Sequence, residues 1–333
     1  MTNQRKRVLS GTQPTGRLHI GHLVGALRNY VALQEENDCF YCIVDWHALT
    51  SMYSDPSHLQ EYVTEVAAGY LASGVDPEKS VIFVQSEVKE HAELHLLLSM
   101  MTPLGWLERV PTYKEKKAQM KEKDLSNYGF LGYPVLQTAD IIIYKANLVP
   151  VGEDQLYHLE LAREIVRRFH HLTGTTIFPE PQAKLTVAKR VPGLDGRKMS
   201  KSYGNSIYLE DTEEEITKKI STMVTDTRRV RRTDPGEPED CPVFALHKIF
   251  STPAEQADCA SGCRSAGIGC FDCKKVLIRR MLEEVLPVGE RVRKLKADGD
   301  YLKDVLKAGA GKAREVAAAT MDEVRSAMNL KGC

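Results

Sequence analysis

Apolar residues in this chain come in short unbroken runs separated by longer stretches of helical period. Val8-Leu9 closes a first run, CFYCIV (Cys39 to Val44) is a second and SVIFVQ (Ser80 to Gln85) a third. Runs of this length, bounded by turn residues, predict strands buried on both faces, as in a parallel sheet. Between and after them, apolar positions recur every three to four residues over 18–34, 57–73, 91–101, 130–144 and 155–171, which predicts helices. Gly74 and Pro77 stop the second of these. The stretch 103–123 is mixed, and its Lys114-Glu115-Lys116-Lys117 run reads as a solvated helix face. Strand alternating with helix predicts an α/β fold, a doubly wound parallel Rossmann-type sheet, over residues 1–205. Past that point the pattern is helical, from the acidic start at Asp211–Glu215 to long periodic stretches over 273–296 and 301–329. The expectation for 206–333 is an all-helical C-terminal domain.

The polar interruptions carry the candidate chemistry. LSGTQPTGRLHIGH (Leu9 to His22) takes the chain out of the first strand, through a Pro14-Thr15-Gly16 turn, into a helix whose first turn holds His19 and His22. Two imidazoles beside free backbone N–H groups, with side-chain-free Gly21 between them, suit a polyphosphate. Lys198-Met199-Ser200-Lys201-Ser202 follows a glycine-containing turn, and two lysines among small residues can close over phosphates. Asp45-Trp46-His47 ends the second strand, at the sheet edge where ligands bind, so His47 is a pocket candidate. Tyr133, Gln137 and Asp140 share one helix face among apolar neighbours. A carboxylate there needs a partner, either from the protein or from a ligand. Val149-Pro150-Val151-Gly152-Glu153-Asp154-Gln155 is a further strand end leading into a helix.

Composition narrows the class. With 45 basic and 45 acidic residues in 333, there is no global basic field, so a nucleic-acid partner must be met by local patches such as Arg228–Arg232. No apolar run has the length of a membrane span, and the basic start leads into a strand; a cytoplasmic protein is expected. Cysteines in that compartment are not expected to pair as disulfides. Cys39 and Cys42 read as core, whereas Cys241, Cys263, Cys270 and Cys273, spaced C-x21-C-x6-C-x2-C in a stretch that reads as loop-rich, point to metal. By count, four thiolates fit Zn2+ or a [4Fe-4S] cluster. Cys259 beside them reads as a bystander, with substitution for Cys263 as the alternative.

HIGH at 19–22 and KMSKS at 198–202, in this order and with strand–helix alternation between them, resemble the paired signature of class I aminoacyl-tRNA synthetases. With GEDQ at 152–155, the whole chain looks like the tryptophanyl-tRNA synthetases, and tyrosyl enzymes are the alternative. The resemblance implies activation of L-tryptophan by ATP with Mg2+, then transfer to tRNA(Trp), in a homodimer with the 103–125 region as candidate interface. It implies His19, His22, Lys198 and Lys201 as catalytic, supplying positive charge and donors. ATP would be held by Gln13, Pro14, Thr15, Gly21, His22, Gly152, Glu153, Asp154 and Val191, with Lys198, Met199, Ser200, Lys201 and Ser202 of the loop. Tryptophan would meet Asp140 through its indole N–H, Val149 and Val151 as walls, and Tyr133, Gln137, Gln155 and His47. Gln137 departs from the methionine of several bacterial tryptophanyl enzymes and matches tyrosyl ones. The helical domain would meet the tRNA anticodon, and the cysteine spacing resembles that of the subset carrying a [4Fe-4S] cluster there.

Overall fold

The computed structural model describes residues 5–111, 127–185 and 191–330. The Lys114–Lys117 run and most of the expected interface region lie outside the described residues. Five strands, β1 (Arg7–Thr12), β2 (Asp38–Ile43), β3 (Ser80–Val84), β4 (Leu148–Val151) and β5 (Gln182–Leu185), form one parallel sheet in the order β3-β2-β1-β4-β5. The strand order therefore reverses between β1 and β4, the switch point at which such sheets open a crevice. β5 was not anticipated: its residues, QAKL, are mostly exposed on an edge strand and show no apolar run.

The two-residue period of a strand explains the core. Val8, Tyr41 and Ile43 enter one apolar cluster, while their neighbours Leu9, Phe40 and Cys42 enter another on the opposite face. Helices cover both faces. A helical run over 20–33, α1, carries a π-type segment at Leu23–Leu27. It is followed by α2 (Asp45–Met52), α3 (Leu59–Ala72), α4 (Glu90–Ser99), α5 (Tyr128–Ile142) and α6 (Leu156–Thr173). Asn127 caps α5 by accepting from the Phe130 N–H, and α6 ends on left-handed Gly174.

After the loop come α7 (Glu213–Thr222), α8 (Pro242–Phe250), α9 (Pro253–Arg264), α10 (Cys270–Ala297) and α11 (Gly299–Ala327). The expectation of a loop-rich cysteine stretch is corrected here. Pro242 and Pro253 each sit in a first helical turn, and Thr252 with Glu255 forms a capping box, so helices start within the stretch that reads as loop-rich. Both apolar clusters also run past residue 205: Ile216, Met281 and Val285 join one, Ala310, Ala313 and Met321 the other. Two glycines permit the closest approaches. A Cβ on Gly289 would lie 2.2 Å from the Leu209 carbonyl oxygen, and one on Gly309 would lie 1.8 Å from that of Ile82. Thus α11 lies directly against edge strand β3.

Candidate active site

A cavity of about 300 Å³ opens at the β1/β4 switch point, lined by Gly11, Gln13, His47, Tyr133, Gln137, Asp140, Val149, Val151, Gly152 and Gln155 among others. Every residue expected for the amino-acid pocket is on this wall. Asp140, buried on α5, is already paired by the protein. His47 Nε2 donates to Oδ2 at 2.8 Å, His91 Nδ1 to Oδ1 at 2.6 Å, and Gln85 Nε2 lies 2.8 Å from both oxygens. Burial alone would push the carboxyl up, but the bonds from His47 and His91 outweigh it and hold Asp140 well below the usual carboxylate range. Four hydrogen bonds thus reach a carboxylate that offers about four acceptor sites, so a ligand donor must take over or share one of them. Sequence reasoning missed Gln85 and His91. The signal was available for Gln85, which directly follows β3 at the same sheet edge as the other strand-end residues. Across the cavity the Tyr133 hydroxyl lies 2.7 Å from His158 Nε2.

His19 and His22 cap α1 reciprocally. His19 Nδ1 accepts the Gly21 N–H and His22 Nδ1 accepts the His19 N–H, both at 3.1 Å. Each ring therefore keeps its proton on Nε2. Burial, with Lys201 nearby, lowers His19 to about 4; burial, then His19 and Lys201, lowers His22 to about 3. The expectation that these histidines supply positive charge is corrected: at neutral pH they are uncharged N–H donors, because a buried pair of imidazoles beside a lysine does not take protons. A Cβ on Gly21 would sit 2.7 Å from the His19 ring, which is why that position carries none.

The loop bearing Lys198 and Lys201 is folded back on itself. Gly193 N–H donates to Arg197 O and Met199 N–H to Val191 O, and Asn205 clamps it, accepting from Ser200 N–H at 2.8 Å while donating to Asp195 at 2.7 Å. Asn205 and Asp195 were not foreseen as site residues. Lys201 Nζ reaches Thr15 Oγ1 and Gly16 O, both at 3.2 Å, so the loop docks on the turn before the histidines. Burial lowers Lys201 to about 8. Lys198 and Ser202 are exposed, whereas Val191 and Met199 are packed in the core with side chains 5 % exposed. Pro14 is buried in the turn, and Glu153 lies with Gln155 in a single helical turn after Gly152. The Asp154 side chain lies outside the described residues.

About the far end of α10, Cys241, Cys259, Cys263, Cys270 and Cys273 line one small, almost wholly apolar cavity with Phe244 and Ile268. Cys241 caps α8, Cys263 ends α9 and Cys270 and Cys273 start α10, so three helix ends converge there. Among the described residues, the ligand-type atoms that lie within 4.8 Å of one another belong to His247, Cys259 and Cys273. The four expected ligands are not gathered that tightly, which a single ion with metal–sulfur bonds of about 2.3 Å requires. Cys259, taken as a bystander, lines the cavity as they do. Beside it, Arg228 is tied to Asp226 and Asp240, and Arg229 reaches backbone carbonyls and Cys263 Sγ. Arg231 and Arg232 are exposed, with no ion pair among the described residues.

Residues 1–285 match the family model described as tRNA synthetases class I (W and Y). Over 97 % of its length the chain is 59 % identical to the tryptophan–tRNA ligase of Thermotoga maritima, covering 99 % of that protein. The tryptophan–tRNA ligase of Ralstonia nicotianae is 45 % identical, with 98 % of each chain covered. Among solved structures, tryptophanyl-tRNA synthetase from Campylobacter jejuni, complexed with ADP and tryptophan, superposes with a TM-score of 0.88 at 37 % identity, over 97 % of this chain and 99 % of that one.

Proposed function

Because the chain belongs to the class I tRNA synthetases of the tryptophan- and tyrosine-specific family, we propose that its switch-point cavity takes L-tryptophan and the adjoining histidine turn takes ATP. The protein is a tryptophan–tRNA ligase. The tryptophan carboxylate attacks the α-phosphorus of ATP, pyrophosphate leaves, and the tryptophanyl group then passes from AMP to the terminal adenosine of tRNA(Trp). No protein nucleophile is needed, so positioning and charge stabilisation carry the first step.

One observation carries this reading: a cavity of mixed apolar and polar lining that includes the Asp140 carboxylate lies at the switch point, beside a turn of neutral N–H donors. Asp140 accepts the indole N–H in place of one of its two Gln85 bonds, while Val149 and Val151 face the ring. His47 orients Asp140 and lines the pocket; Tyr133, Gln137 and Gln155 take the ammonium and carboxylate. His19 and His22 donate Nε2–H to phosphate oxygens. Lys201 leaves Thr15 for the phosphates with Lys198, and the backbone of Met199, Ser200 and Ser202 follows. Gln13, Pro14, Thr15, Gly21, Gly152, Glu153 and Asp154 surround the nucleotide; Val191, being buried, acts by supporting the loop. Mg2+ would be held mainly by the phosphates and, when bound, would supply neutralising charge for the pyrophosphate group. The test is ATP–pyrophosphate exchange with tryptophan and with tyrosine. Exchange driven by tyrosine would transfer the reading to the other half of the family, which Gln137 would then explain.

The helical residues 206–333 meet the anticodon, with exposed Arg231 and Arg232 as phosphate contacts. In this reading Cys241, Cys263, Cys270 and Cys273 would hold a [4Fe-4S] cluster at the cysteine cavity. Its apolar lining, and four sulfurs that do not all lie within 4.8 Å of one another, support a polynuclear group over a lone Zn2+. When bound, the cluster ties three helix ends together. Exposed Leu96, Met100, Leu104 and Tyr128 flank the region assigned to the homodimer interface. No described helix is long and apolar enough to cross a membrane, in keeping with action in the cytoplasm.

A further inference from the structure

The turn on which Lys201 rests is gripped from behind by a buried charge group that the reaction does not use. Glu65 on α3 is 4 % exposed and pairs with Lys296 in the last turn of α10. Lys296 also reaches both carboxylate oxygens of Glu210, at 3.1 and 3.3 Å. Glu210 in turn faces Arg17, at 3.8 Å, and Arg17 is the residue after Gly16. On the other side, Gly16 lies between the Lys201 side chain and Tyr62, each within 3.8 Å of where its Cβ would be, and Tyr62 is one helical turn before Glu65. Glu65, Lys296, Glu210 and Arg17 thus alternate in sign, and of these it is the negative charge of Glu65 that is felt at the loop lysine. That charge acts on Lys201 in the direction that keeps it protonated, against the desolvation that lowers it to about 8. Burial also raises the Glu65 carboxyl, with Lys296 offsetting part of the effect.

Resting on the reading that Lys201 moves to ATP, we propose that the Glu65–Lys296 pair is a positioning element for Lys201. It sets, from the helical part of the molecule, how firmly the loop lysine sits on the Thr15–Gly16 turn and so how readily it transfers to a bound triphosphate. Lys296 neutralises Glu65. Without it, an unpaired buried carboxylate competes with the phosphates for Lys201. Without Glu65, the competition is gone and Lys296 pairs with Glu210 alone.

The signs of the two substitutions are therefore opposite. In tryptophan-dependent pyrophosphate exchange, Lys296→Met raises the KM for ATP roughly three- to tenfold, the scale of a partly screened charge pair, with the KM for tryptophan unchanged. Glu65→Gln lowers the KM for ATP. The double variant returns to within about twofold of wild type, and Lys296→Arg behaves as wild type. Both the double variant and Lys296→Arg avoid an uncompensated buried charge, so the outcome does not depend on whether Lys296→Met folds well. Single variants that shift the KM for ATP in the same direction, or a KM for tryptophan that moves equally, would mean a purely structural pair and overturn the proposal. A wild-type protein that performs no such exchange would instead refute the functional reading, and the link with it.

Discussion

At the scale of single residues, the most consequential departure from sequence reasoning is the charge of the two histidines. Their type and spacing were legible; their protonation was not, because it follows from a reciprocal cap that only the folded turn creates. With a folded value of about 4 against an ordinary 6.5, His19 takes up a proton more easily in the unfolded chain. Its contribution is thus fully present above pH 6.5 and is lost as pH falls toward 4. His19→Asn keeps a capping acceptor without a titrating group. Urea unfolding between pH 4 and 7 is expected to show a shallower decline for the variant, by at most about 1.4 kcal/mol per pH unit. Parallel curves would show that His19 is not buried in its neutral form. Asp140 presents the complementary case. Its helix face and need for a partner were readable, but Gln85 and His91 come from a distant strand and helix. Asp140→Asn turns an acceptor toward Gln85 into a donor and should weaken tryptophan binding about 10- to 100-fold, since bonds to a charged group contribute roughly 1.5–3 kcal/mol. Titration with tryptophan and with an N-methylindole analogue measures it; a wild type that cannot tell the two apart would remove Asp140 as the indole acceptor.

At the scale of elements, long apolar runs and strong periodicity gave β2, β3, α3, α5 and α10 within a few residues. Elements whose formation depends on neighbours escaped. β5 exists because β4 offers an edge, and α8 and α9 exist because prolines at their first turns coincide with caps. The close packing of α11 on β3 also left no sequence signal beyond a glycine inside an otherwise good helix. Gly309→Val tests it. The added side chain meets the Ile82 backbone rather than a flexible atom. The helix must therefore shift, at a cost of about 1–3 kcal/mol or more. A drop in the urea midpoint is expected, whereas the same change at Gly311, where nothing lies within 4 Å, should leave the midpoint unchanged or slightly raised, valine being a better helix former than glycine. Equal losses at both sites would show that the approach to β3 is not tight.

At the scale of the whole molecule, the cysteine cavity lies apart from the catalytic crevice, at the junction of α8, α9 and α10. Protein purified anaerobically should be brown and contain about four irons per chain. Colourless protein with one zinc would keep the ligands and change the metal. Cys270→Ser should lose the metal and depress tRNA charging more than pyrophosphate exchange; equal loss would mean that the site supports the whole fold. That second outcome has a structural basis, since α10 runs from this cavity to Lys296 beneath the active-site turn.

The last helix has one more consequence, for the order in which the molecule can be built. Edge strand β3 is complete by residue 84, yet the helix that covers it spans Gly299–Ala327. At translation rates of about 5–20 residues per second, β3 waits on the order of tens of seconds for its cover. During that interval a ribosome-bound chain presents an apolar strand with open hydrogen-bonding groups, the kind of surface that recruits chaperones or pairs with another nascent chain. Messages cut short before α11 would yield chains that keep this edge open, so a truncated product should be cleared or aggregate rather than persist as a free catalytic sheet.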